Sequence, residues 1–197
     1  MEKLIVITGY GAFAGHEVNA SGEAVKLLPK ELVVGSQKYK ILTVEVSVEY
    51  EDVDKKVDAI WSMKPLLVVH CGVHGAADKI KLEKCSMNGF CFQDFRGKAL
   101  SNPLLCLKNS GKCDGLVTKL NVDKITKLLN ERHRPGMFEA SCDVGKYLCG
   151  YIYLKSLDID PSRSLFIHVP CINKPYSTLE TAEAIQKVVE LCVMDLE

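Results

Sequence analysis

The sequence predicts an α/β fold: a single-domain three-layer α/β/α sandwich with a mostly parallel central sheet. Three observations carry that prediction. Apolar, β-branched runs alternate along the chain with stretches of helical periodicity, the pattern of stacked strand–helix–strand units. Two of the runs, "LLVVH" (66–70) and "SLFIHVP" (164–170), are apolar almost throughout, as strands covered on both faces are. The chain has 197 residues, 47% hydrophobic and 25% charged, which is enough for one full core spanning 1–197, and no linker, internal repeat or low-complexity tract divides it.

The elements follow in order. Residues 3–8 read as a buried strand built on Leu4 to Ile7, and "ASGEAVKLL" (20–28) as a helix stopped by Pro29. "YKILTVEVSV" (39–48) is a second strand. Residues 51–63 place Val53, Val57, Ile60 and Trp61 at helical spacing before Pro65. After the strand at 66–70, "DKIKLEKC" (78–85) alternates as a further strand, and 86–118 read as loops with short strands. "NVDKITKLLNER" (121–132) is helical with Asn121 as its cap, and "GMFEAS" (136–141) is strand-like. Residues 144–157 and 178–194 are helices on either side of the strand at 164–170.

Composition excludes several classes. Lys+Arg and Asp+Glu both total 25, so the formal net charge is zero and nothing points to nucleic acid or an anionic membrane. No apolar run approaches the ~20 residues that span a bilayer. The N-terminal "MEKLIVITGYG" has an acidic second residue and a short apolar run, unlike a secretory signal. The nine cysteines are odd in number and form no C-x-x-C pair, and the spacing of Cys85, Cys91, Cys106 and Cys113 fits no zinc module. Reduced thiols, a cytoplasmic location and no metal are expected.

The run "VITGYGAFAGHEVNAS" (6–21) raises a question of ligand. Read literally it is G-x-G-x-x-A after a strand, a dinucleotide fingerprint. The following helix, however, starts only after Asn19 or Ser21, and the next strand ends near Glu45, about thirty residues past the last glycine instead of the ~20 at which an acid would hold a ribose. Tyr10 and Phe13 stand inside the loop, where rings would crowd a pyrophosphate but suit a flat apolar ligand. A tight turn with incidental aromatics, a small-ligand pocket and a nucleotide-binding oxidoreductase all remain open at this point.

Three further residues suit a thiol-nucleophile set. Cys149, in "SCDVGKYLCGY", lies about 130° from the centre of the apolar stripe formed by Val144, Tyr147, Leu148, Tyr151 and Ile152, at 100° per residue, where a mere core thiol would not sit. The helix that carries it is expected to be capped by Ser141 or Asp143. His168 ends an apolar strand just before Pro170, and Glu83 alternates with Ile80 and Leu82. A thiolate attacks a carbonyl, an imidazole carries the proton, and a carboxylate orients the imidazole. From spacing alone, a hydrogen-bonded core His168 and a solvated Glu83 are equally open readings.

Taken together, these segments resemble the pyroglutamyl-peptidase I family, cytosolic cysteine peptidases also called pyrrolidone-carboxylate peptidases, in the animal form. "VITGYGAFAGHEVNASGEAV" is similar to the family's T-G-F-x-P-F-x-x-x-x-x-N-x-S segment, and "VSVEYEDV" to its V-E-Y stretch. "LLVVHCGVHG" with "IKLEKC" resembles the segment bearing the catalytic glutamate. "SCDVGKYLCGYIYLKSL" is similar to the nucleophile motif S-x-D-A-G-x-Y-L-C, and "SLFIHVPCINKPY" to the F-x-H-V-P histidine motif.

The resemblance implies Cys149 as nucleophile, His168 as general base and acid, and Glu83 as the carboxylate that orients it. It also implies Tyr10 and Phe13 as aromatics flanking the substrate ring, Asn19 as a pocket asparagine, Val73 as a backbone contact to the lactam, and Arg96 as an aid to the oxyanion. The expected activity is removal of N-terminal pyroglutamate from peptides through a thioester, without cofactor. A flat, neutral lactam wants apolar faces and backbone hydrogen bonds rather than a carboxylate for an ammonium. The chain departs from the family pattern at Tyr10, Ala12, His74, Cys142 and Val144, which touches pocket shape and rate; a member that binds lactams or peptides without turnover is the alternative.

Overall fold

A computed structural model describes residues 3–12, 18–108 and 114–196. The chain begins with β1 (Lys3–Tyr10) and α1 (Ala20–Lys26), then β2 (Glu31–Val34), β3 (Gln37–Val46) and α2 (Tyr50–Ser62). It continues through β4 (Leu67–Val73), β5 (Ile80–Glu83), β6 (Cys85–Met87), β7 (Gly115–Val117), α3 (Val122–Arg132) and β8 (Phe138–Ser141). It ends with α4 (Leu148–Ile159), β9 (Ser164–Val169) and α5 (Thr178–Leu196).

Seven strands form one sheet in the order β2-β3-β1-β4-β9-β5-β8. The four central strands, β3, β1, β4 and β9, run parallel. β2 folds back antiparallel on β3, and β5 runs antiparallel to β9 with β8 parallel to β5. One face packs on α1, α3 and α5 through Ile5, Ile7, Leu67, Val69, Leu165 and Ile167. The other packs on α2 and α4 through Phe166, Tyr153 and Leu157. β1, β4 and β9 are buried on both faces, which is why their sequences are nearly continuous apolar runs. The expected three-layer sandwich is the architecture present.

Two features correct the expected elements. The short edge strand β2 pairs with the start of β3, where only one strand was expected; "ELVV" offers two exposed positions and too little pattern to announce itself. The fourth helix starts at Leu148, not at residue 144, and its N-cap is Tyr147 with no side-chain cap, rather than Ser141 or Asp143. Gly145 at φ 78° takes residues 142–147 out of helical geometry. The helix is also buried on most of its surface rather than along one stripe. The cap expected for α3 is present: Asn121 Oδ1 accepts from the Lys124 N–H at 3.1 Å.

Candidate functional site

The site sits on the α4 side of the sheet, near the C-terminal ends of β1, β4 and β9. β1 ends in Tyr10, and the start of α1 packs against that end. Gly9 and Gly22 make that close approach possible: a Cβ on Gly9 would stand 2.8 Å from the Ser21 carbonyl oxygen, and one on Gly22 would collide with the Tyr10 carbonyl. Asn19 caps α1, its Oδ1 accepting from the Ser21 N–H at 3.1 Å and the Ser21 hydroxyl at 2.7 Å. The Ser21 hydroxyl oxygen also accepts from the Tyr10 N–H.

His168 and Glu83 meet across antiparallel strands. In the β5/β9 register Lys81 lies opposite His168 and Glu83 opposite Phe166, so Glu83 is the diagonal neighbour of His168 on one face. His168 Nδ1 stands 2.8 Å from Glu83 Oε1, and both side chains are almost wholly excluded from solvent. The other carboxylate oxygen accepts from the Asp143 N–H at 3.1 Å. An ionised carboxylate can only accept, so this pairing places a proton on Nδ1, and in the neutral ring the lone pair is then on Nε2. Phe166 packs edge-on against the imidazole at 4.8 Å between centroids, and His74 does the same at 5.5 Å.

Cys149 is the second residue of α4 and is half-buried. Its sulfur lies 2.8 Å from the place a Gly72 Cβ would occupy. Gly72 is the in-register neighbour of His168 in the parallel β4/β9 pair, so their side-chain directions share a face. The thiol therefore fills the missing side-chain position beside His168. Burial pushes this thiol up to about 12, the nearby Glu83 charge adds to the rise, and its own backbone N–H, one of the unpaired donors of the first helical turn, pulls the other way. A thiol held so high is a poor nucleophile by itself at neutral pH and depends on a base to take its proton.

A cavity of about 320 Å³ opens in front of the sulfur, lined by Tyr10, Val18, Asn19, Ala20, Val48, Val73, Gly75, Tyr147, Leu148, Cys149, Cys171 and Ile172. Among the described residues the lining carries no carboxylate and no ammonium group. The Tyr10 hydroxyl donates to the Leu148 carbonyl at 2.8 Å, which ties the first residue of α4 to the end of β1. Of the residues predicted from sequence, Tyr10, Asn19, Val73 and Cys149 line this cavity; His168, paired with Glu83, is on the strand next to Gly72, against which the sulfur rests. Phe13 falls outside the described residues. Arg96 is largely exposed, its Nε 2.8 Å from Glu49 Oε2, and it is not part of the cavity lining. Among the described residues no group of His, Cys, Asp and Glu is placed to hold a metal ion.

Sequence reading missed Gly72, Tyr147, Cys171 and Ile172. Gly72 stood in "CGVHG" as an unremarked glycine, and Cys171-Ile172 directly follow the histidine motif. The Asp143 N–H that holds Glu83 could not be read from a side chain at all.

The family model described as pyroglutamyl peptidase matches residues 3–193. Pyroglutamyl-peptidase 1 of Homo sapiens is 34% identical over 195 residues, covering 95% of this chain and 88% of its own length. Pyrrolidone-carboxylate peptidase of Lactobacillus helveticus is 30% identical over 182 residues, covering 84% of this chain and 82% of its own. In fold, a mutant pyrrolidone carboxyl peptidase from Pyrococcus furiosus superposes with a TM-score of 0.83 over 98% of this chain and all of that one, at 23% identity. The Thermus thermophilus pyrrolidone carboxyl peptidase does so at 0.79 over 94% of this chain and 98% of that one. By the extent of these matches and the unbroken order of its motifs, this chain belongs to the pyroglutamyl peptidase family.

Proposed function

We propose that the protein is a cysteine exopeptidase that removes N-terminal pyroglutamate from peptides, with Cys149 as nucleophile, His168 as general base and acid, and Glu83 as the group that orients His168. The observation that supports this most is the buried pairing of His168 Nδ1 with Glu83 at 2.8 Å beside a thiol that lines a cavity whose described residues carry no charge.

In this reading the pyroglutamyl ring enters the cavity against Tyr10, with Phe13 as the second aromatic face. The backbone at Val73 meets the lactam, and the Asn19 amide nitrogen, left over once its oxygen caps α1, is available to the ring carbonyl. A proline ring has no ring carbonyl, so in the same place it would leave the pocket's buried partner group without a hydrogen bond, at a cost of about 1–3 kcal/mol, and is disfavoured. His168 Nε2 takes the thiol proton as the sulfur attacks the pyroglutamyl carbonyl carbon. Glu83 stabilises the imidazolium that forms. The unpaired N–H groups at the start of α4 face the developing oxyanion. Arg96 would have to release Glu49 to assist. The imidazolium then protonates the leaving amine, and His168 activates the water that hydrolyses the thioester. Every proton and bond in this route is handled by side chains and water, so it needs no metal or cofactor. A cytoplasmic setting suits the eight described cysteines, all of which are free; peptides are the partners, and nucleic acid and membrane are not.

The test is turnover of a pyroglutamyl-arylamide by the parent and by Cys149→Ala, with prolyl- and glutamyl-arylamides alongside. Release from the pyroglutamyl substrate alone, lost in the variant, is expected. Undiminished turnover in Cys149→Ala would overturn the assignment.

A further inference from the structure

Two cysteines outside the triad stand together just behind it. Register pairs Glu83 with Ser141 in β5/β8, and the Lys84 N–H donates to the Ser141 carbonyl at 2.7 Å, so the chain leaves the two strands side by side. Cys85 follows on one strand and Cys142 on the other. The Cys85 thiol reaches the Cys142 carbonyl oxygen at 3.7 Å, so its sulfur lies against the Cys142 backbone. Cys85 is two residues past Glu83 and Cys142 one past Ser141, so the two are one position out of register; a strand spacing of about 4.8 Å and a step of about 3.3 Å put their Cα atoms roughly 6 Å apart, inside the ~4.4–6.8 Å that a disulfide spans. Cys142 is exposed and Cys85 half-buried, so an oxidant meets Cys142 first. Burial and the neighbouring thiol push Cys85 up to about 11, which leaves it as the slower partner that closes the bond.

We propose that Cys85 and Cys142 form a reversible dithiol–disulfide switch beside the catalytic carboxylate. The oxidant class is a small-molecule disulfide such as oxidised glutathione. The Cys142 sulfur attacks one of its sulfurs and releases one thiol; the Cys85 sulfur then attacks Cys142 and releases the second. Two protein thiols are oxidised, and one small disulfide is reduced to two thiols, which carry away the two protons. The consequence follows from the peptide bond after Cys142, whose N–H, on Asp143, holds Glu83 Oε2. Drawing the Cys142 sulfur to bonding distance of Cys85 moves that N–H and loosens the carboxylate that orients His168. This consequence for activity rests on the peptidase reading; the crosslink itself does not.

Two arms separate those claims. Cys149→Ala is equilibrated with graded ratios of oxidised to reduced glutathione and mapped by mass spectrometry without reduction. A Cys85–Cys142 linked peptide is expected, rising with the ratio and absent from the Cys142→Ser, Cys149→Ala double variant; failure to form it at any ratio overturns the pair. In the second arm the parent is expected to lose pyroglutamyl-arylamide turnover in step with the crosslink and to recover it with dithiothreitol. Cys142→Ser is expected to keep most of its turnover under the same ratios. Equal loss in both would trace the inhibition to Cys149 and overturn the switch, as would a crosslinked parent of full activity. A parent inactive before oxidation would sink the peptidase reading, and the switch as a control on it, while the mapping arm still decides the dithiol.

Discussion

The Tyr10 hydroxyl donates to the Leu148 carbonyl at 2.8 Å, joining the end of the first strand to the residue before the candidate nucleophile. A tyrosine hydroxyl in a buried position needs such a partner, and this one is 4% exposed. The bond answers why the chain tolerates tyrosine where its family more often has phenylalanine: the extra oxygen is absorbed by the helix start rather than by the cavity.

It follows that Tyr10→Phe keeps the aromatic face and removes only the tie. The expected cost is about 1 kcal/mol of stability, a fall in melting temperature of about 2–4 °C for a chain of this size, with turnover changed less than about fivefold. Tyr10→Ala, which removes the face itself, should raise KM for a pyroglutamyl-arylamide far more than Tyr10→Phe does. Calorimetry and steady-state kinetics on the two variants check this; equal KM effects would show that the ring does not touch substrate.

Glu83→Gln tests the orienting carboxylate. The amide has nearly the same shape, but it cannot offer two acceptor oxygens to His168 Nδ1–H and the Asp143 N–H together, and it carries no charge to meet an imidazolium. The expected loss is in kcat, about 10²–10⁴-fold, the usual worth of general acid–base catalysis, with KM little changed. A variant that lost KM and kept kcat would assign Glu83 to substrate binding instead.

Gly72→Ala probes the seat of the sulfur. The added methyl would stand 2.8 Å from both Cys149 Sγ and Phe166 Cζ, and neither the strand nor the packed ring has room to give. Overpacking of this kind costs about 1–3 kcal/mol, and a nucleophile displaced by about 1 Å loses on the order of 10²-fold in rate. The expected outcome is a folded protein with a melting temperature down by several degrees and turnover reduced about a hundredfold. Unchanged turnover would mean that the sulfur acts from another rotamer.

These cases also show what could be read from the chain before its structure. The sandwich was legible because β1, β4 and β9 are buried on both faces and write that burial as "LIVI", "LVV" and "LFI". Cys149 stood out by its distance from an apolar stripe that the structure does not keep: the helix begins four residues later than periodicity suggested and is buried on most of its surface. Residues 142–147 hold Glu83 through a backbone N–H rather than turning helical, and no side-chain pattern encodes that. Glu83 itself was ambiguous: a carboxylate alternating with Ile80 and Leu82 looks like a solvent face until the segment 142–147 closes on it, with the Asp143 N–H on Oε2. The same limit applies to Gly72, whose role exists only because a sulfur from a distant helix fills its empty side-chain place.

His70 yields a prediction that owes nothing to catalysis. It is fully buried between the Thr8 hydroxyl, 2.8 Å from Nδ1, and the Ser156 hydroxyl, 2.7 Å from Nε2, and Trp61 Nε1 donates to the same Ser156 oxygen. Burial with no carboxylate beside it drives the imidazole down to about 3. In the unfolded chain it titrates near 6.5. Between those values the unfolded state binds a proton that the folded state refuses, so stability rises with pH across this window. The contribution is complete above about pH 6.5 and is lost as the pH falls toward 3, at about 1.4 kcal/mol per pH unit. Urea unfolding at pH 6.5, 5.5 and 4.5 should show this slope on top of that from other groups. His70→Gln, which keeps polar atoms for the Thr8 and Ser156 hydroxyls but takes up no proton, should show a slope smaller by about one proton, whatever its absolute stability. Parallel slopes for parent and variant would mean that His70 becomes charged inside the fold, with water or a moved hydroxyl accepting its second N–H.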